Sequence, residues 1–166
     1  MGTSQYEGQV ILPRNHSYGI IQAESHLETI NMGEIDLNRT KFLLQTSAIF
    51  AVIGTIMGSH MAGAGSMALR PIHAHILVVG WLSLFAFAAY YRMFPVPKSS
   101  KLATVHVWTA FFGSIGLSGG MWAYYFIPGS MVTLMAFIIG GTILAVSFIL
   151  FAVMTFVHGK YITDAQ

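Results

Sequence analysis

Residues Leu69 to Pro95 read LRPIHAHILVVGWLSLFAFAAYYRMFP. Between Arg70 and Arg92 this stretch holds no Lys, Arg, Asp or Glu. A helix needs about 20 apolar residues to cross roughly 30 Å of hydrocarbon, and the gap between the two arginines is that long. Pro71 suits the first turn of a helix, where the N–H it lacks would have no intrahelical partner. Pro95 and Pro97 end the run, because proline cannot continue a helix. The stretch therefore predicts a transmembrane helix over residues 72–94.

Two further charge-free gaps flank it, Phe42 to Leu69 and Leu102 to Gly159. The first fits one span, over 42–61. The second fits two, over 102–126 and 131–157, separated by the turn signal Pro128-Gly129. All six acidic residues lie outside the gaps. The whole chain is 55% hydrophobic and only 8% charged, against about 25% charged in soluble domains. The expectation is an all-α integral membrane protein with a four-helix transmembrane domain over 42–158.

Residues 1–41 are polar and net acidic, with three basic and five acidic side chains. They read as a surface tail that docks on a partner or on the bilayer face, with a hint of a short amphipathic helix at Ile20, Leu27 and Ile30. Residues 159–166 form a second tail. Lys and Arg near span ends face the cytoplasm. With four spans, Arg39, Lys41, Arg92, Lys98, Lys101 and Lys160 fall on one side and Arg70 alone on the other. Both termini are then cytoplasmic, in an inner membrane, and the 62–71 loop and the Pro128 turn face outward.

The net charge of +2 gives no sign of a nucleic-acid partner. The absence of cysteine excludes thiolate-bound iron–sulfur clusters, covalent haem attachment through thiols, blue copper and disulfides. Any metal falls to His, Met or carboxylate. Gly54 and Gly58, and Gly116 and Gly120, are spaced for close helix approach or for a flat macrocycle.

Ionisable residues within spans are costly and usually functional. Here they are histidines. His60, His73 and His75 lie towards the outer face, and His106 and His158 towards the inner one. His73 and His75 are about 200° apart on a helix of 3.6 residues per turn, so they serve different sites unless the helix unwinds. Met57, His60 and Met61 share a face by their spacings of three and four. Soft thioether with imidazole there would suit copper(I).

The segment from Arg70-Pro71-Ile72-His73-Ala74-His75 through Gly80-Trp81 to Tyr91 and Pro95 resembles haem-copper oxidase subunit I, most closely the C-type oxidases. It is similar to the helix in which an H-x-H pair is followed by G-W. Over roughly residues 48–125 the chain also resembles short four-helix relatives of that subunit, through Gly54 to Gly58, His73 to Trp81 and His106-Val107-Trp108. The resemblance implies a b-type haem with His75 as a low-spin axial ligand. His73 would serve a second haem or hydrogen-bond to the first, and His60 or His106 would be the opposing ligand. Arg70 would pair with propionates, and Trp81 would belong to the cofactor-binding stretch.

The chain departs from the full subunit in having no His-His copper pair and no carboxylate inside a span, so complete oxygen reduction by this chain alone is not expected. Electron transfer or binding of O2 or NO is the leading expectation. The alternatives are an accessory subunit of a larger respiratory or oxidase complex and a Met/His copper-handling protein. Since one copy carries a single ligand-bearing helix, a homo-oligomer is expected, a trimer above all, because three copies would approach the helix number of the full subunit.

Overall fold

The computed structural model of the protein describes residues 16–159, with side chains placed from Arg39 onward. The expectation for Ile20, Leu27 and Ile30 falls outside the described side chains, and Lys160 with most of the C-terminal tail outside the described residues. The chain divides into two compact units, residues 1–34 and 35–166. In the first, the backbone is helical from His16 onward, so much of what reads as a polar tail is helix.

The helices are α1 (His16–Gly63), α2 (Arg70–His75), a π-helix (Ile76–Ser83), α3 (Leu84–Met93), α4 (Lys101–Phe126) and α5 (Met131–Val157). No strand occurs among the described residues. Three helical segments are long and apolar enough to cross a membrane: Arg39–Gly63, Arg70–Met93 and Met131–Val157. The chain thus has the make-up of a multi-pass membrane protein. Helix α4 matches these segments in length. Its glycines, its serines and His106 make it less apolar than the other three.

Local chemistry sets the ends. Ser100 caps α4, its hydroxyl accepting from the Ala103 N–H, which satisfies one of the donors orphaned at a helix start. Phe94 is extended, as a residue before proline must be. Gly129 has φ 82°, a left-handed conformation that glycine adopts without a Cβ penalty, and it reverses the chain between α4 and α5.

Packing follows heptad-like spacing on two helices. The buried positions of α1 run Leu43, Ser47, Phe50, Gly54, Met57, Met61. Those of α4 include Ala103, His106, Ala110, Gly113, Leu117 and Gly120, with Val107, Ser114 and Ser118 buried beside them as Thr46 is on α1. Steps of alternating three and four keep one face towards a nearly parallel or antiparallel neighbour. The Arg70–Met93 segment differs, with Ile72, Ile76, Gly80 and Leu84 buried in steps of four. On an α-helix such a row would drift around the axis. The π-helix holds more residues per turn and keeps the row facing inward. Ser83 donates its hydroxyl to the Val78 carbonyl five residues back, at 2.8 Å, in step with i→i+5 bonding.

Helices α4 and α5 meet backbone to backbone. A Cβ on Gly113 would lie 2.6 Å from the Leu144 backbone, on Gly116 2.8 Å from Gly140 Cα, and on Gly120 2.6 Å from the Phe137 backbone. Of the two uses open to these glycines, helix packing is the one found, as small residues allow in membranes.

Candidate functional site

The histidine pair sits in the short helix α2. The helix is not unwound there, so the two imidazoles diverge. His73 turns towards α1. Its Nδ1 lies 3.0 Å from the Gly54 carbonyl, and a carbonyl only accepts, so Nδ1–H donates. The ring lies against Gly58, whose Cβ, were there one, would be 2.9 Å from His73 Cε1. Gly58 makes the slot for this ring, while the missing Cβ of Gly54 leaves room for Leu77 and Ile76. His73 therefore ties α2 to α1.

His75 is half-buried and turned elsewhere. Its Nδ1–H donates to the Pro71 carbonyl at 2.7 Å. That fixes the tautomer with the proton on Nδ1 and leaves the Nε2 lone pair available. The face next to it carries exposed Val78, Trp81, Leu82 and Phe85. Arg70 is exposed at the same end of the segment.

His60 and the two methionines do not share one environment. Met57 and Met61 are buried in the core, whereas His60 is exposed. Spacings of three and four place them within one broad arc, and the edge of the packed face cuts that arc between His60 and the thioethers. His60 is also about 200° around α1 from Gly58, the residue that faces His73. Among the described residues no hydrogen bond joins His60 to His73 or His75, and no three His or acidic side chains converge as a metal site.

His106 lies at the opposite end of the bundle. It is fully buried, with Nδ1 2.8 Å from the Tyr91 hydroxyl. That hydroxyl also reaches the Ala103 carbonyl at 3.1 Å and Met154 Sδ at 3.5 Å. Phe87 meets the imidazole edge-on at 4.6 Å between ring centroids, and Phe151 flanks it at 5.6 Å. Tyr91 is eighteen residues beyond His73, about 27 Å at 1.5 Å per residue. His106 is therefore not brought to the outer histidines. It holds α3, α4 and α5 together, with Nε2 buried and unpartnered. His158 is buried too, its Nδ1 3.2 Å from the Met154 carbonyl.

Sequence reasoning missed Tyr91 as the partner of His106. It also missed Arg39, which it used only for orientation. The arrangement defines a class, a protein helical throughout its described residues with the make-up of a multi-pass membrane protein, in which the His75 imidazole is oriented by its own helix. No family model, curated protein or solved structure matches the chain.

Proposed function

We propose that the chain is a membrane b-type haem protein, with His75 as an axial ligand, acting in electron transfer or in binding a diatomic gas. The observation that carries this reading is the bond from His75 Nδ1–H to the Pro71 carbonyl. A metal-ligating histidine characteristically donates its other ring nitrogen to such an acceptor, which fixes the tautomer and raises ligand basicity. The resemblance of residues 69–95 to haem-copper oxidase subunit I supports the choice of haem over copper.

The donor set fits one axial position per chain. His73 is committed to Gly54, and His106 is at the far end of the bundle. A second imidazole on the same iron would come from a neighbouring copy. Otherwise the sixth position would be open to a gas. Haem bound here would supply an iron centre whose potential is set by axial ligation and burial. The chain's own part is to orient His75, to offer the apolar flank of Val78, Trp81 and Leu82, and to bring the Arg70 cation to propionate carboxylates.

The same reading takes α4 as a fourth span, with both termini cytoplasmic and the His73/His75 end outermost. It takes the assembly to be a homotrimer with haem at or beside the protomer contacts. An absorption spectrum of the purified protein tests it: Soret and α bands are expected. Bound copper without haem, or no chromophore after haem supplementation, would replace this reading with the copper-handling or accessory-subunit one.

A further inference from the structure

Helices α1 and α4 enclose a groove of about 280 Å³ lined by Arg39, Phe42, Thr104, Val107 and Trp108. It lies at the end of the bundle opposite the histidine pair, where the span Arg39–Gly63 starts and where α4 starts at Lys101. The guanidinium is held from one side. Arg39 Nη2 donates to the Lys98 carbonyl at 2.8 Å and to Thr104 Oγ1 at 3.0 Å. Its Nη1 is buried with no acceptor. An orphaned buried donor is costly, more so on a charged group. No carboxylate occurs in the sequence between Asp36 and Asp164, so α4, α5 and the rest of the span offer this guanidinium no anionic partner.

The other walls are apolar. Phe42 packs on Trp108 at 5.6 Å and on Phe111 at 4.9 Å between ring centroids, and Val107 is buried. Lys41 and Lys101, both exposed, add charge at the same level. The groove thus offers a fixed cation with a spare N–H at headgroup depth and a hydrocarbon-lined wall running into the span. We infer that it binds an anionic phospholipid, with the phosphodiester oxygens on Arg39 Nη1 and an acyl chain along Phe42 and Trp108. Guanidinium suits phosphate because its donors are planar and fixed. Basic pockets between membrane helices bind such headgroups elsewhere. The inference is independent of the haem reading.

Native mass spectrometry of the full chain, in mild detergent doped with equal amounts of phosphatidylglycerol and phosphatidylcholine, tests it. The expected result is about a fivefold excess of phosphatidylglycerol adducts, the scale of one basic contact. Arg39→Gln should bring the ratio to parity, while Lys101→Gln, at an exposed neighbouring cation, should leave most of it. Thr104→Phe, which fills the mouth, should lower adducts of both lipids and serves if Arg39→Gln does not fold. Parity in the wild type would overturn the inference, as would equal losses in Arg39→Gln and Lys101→Gln. Abolition of the preference by added inorganic phosphate would assign the groove to a free anion, and would also overturn it.

Discussion

His73 donates its Nδ1 proton to the backbone carbonyl of Gly54, 3.0 Å away on the neighbouring helix, and so the two histidines of the H-x-H pair do different work. One fastens α2 to α1. The other, two residues on, is oriented by its own helix through the Pro71 carbonyl.

Their substitution should separate these roles. If the proposed haem reading holds, His75→Ala should abolish haem binding with little change in stability. His73→Ala should keep haem but lose a buried hydrogen bond, at a cost of about 1–2 kcal/mol. Haem stoichiometry and thermal unfolding in detergent read the two effects. Equal haem loss in both variants with normal folding would sink the division of labour.

The glycine slot predicts an asymmetry along α1. Gly58→Ala places a Cβ 2.9 Å from the His73 ring, and the ring must yield, at about 1–3 kcal/mol for overpacking. Gly63→Ala meets nothing within 4 Å and should be neutral. On α5, Gly140→Ala would drive a methyl into the backbone of Gly116 and Leu117. It should be the most damaging of the three, seen as a loss of folded protein after extraction. Similar unfolding midpoints for all three variants would contradict the close packing.

Tyr91→Phe removes the hydroxyl that serves both His106 and the Ala103 carbonyl. The Ala103 carbonyl keeps its helical partner, but His106 Nδ1 is left buried and unpaired, which should cost about 1–3 kcal/mol. Combined with His106→Leu the loss should be less than additive, because the residues share one interaction. Strict additivity in a double-mutant cycle would mean that the contact contributes nothing.

Topology can be read with reporter fusions. Fusions at Ala64 and Gly129 should report an external location, and fusions at Ser99 and Gln166 an internal one. An external Ser99 would exchange the two ends of the bundle and move the His73/His75 end inside.

Much of the helical plan is legible in the sequence because charge is absent from hydrocarbon-length stretches. The 131–157 span coincides with α5, and the others lie within three residues of their helical segments. The divergence of His73 and His75 is legible for the same reason, since it needs only the helical repeat. What sequence alone hides is tertiary. That Gly54 would accept from His73, or that Met57 and Met61 would turn inward while His60 turned out, depends on how neighbouring helices are rotated. Tyr91 sits among aromatic residues that read equally well as an interfacial belt, and only the approach of α4 makes it the partner of His106. The steps of four from Ile72 to Leu84 were a visible sign of the π-helix, but such rows are also common on ordinary buried helices.

The π-helix ties the two ends of its segment together by residue count. Deleting one residue between Ile76 and Ser83 with a return to i→i+4 bonding would leave eleven steps from Ile72 to Leu84, about 20° from three whole turns, so the two ends would keep their relative facing. Phe87, Tyr90 and Tyr91 would stay turned towards α4 and α5 while His73 and His75 held their places. A one-residue deletion that would turn the far end of an ordinary α-helix by about 100° is therefore a length change this segment can absorb. A single deletion there should keep the protein folded, whereas the same deletion in the middle of α4 or α5 should not.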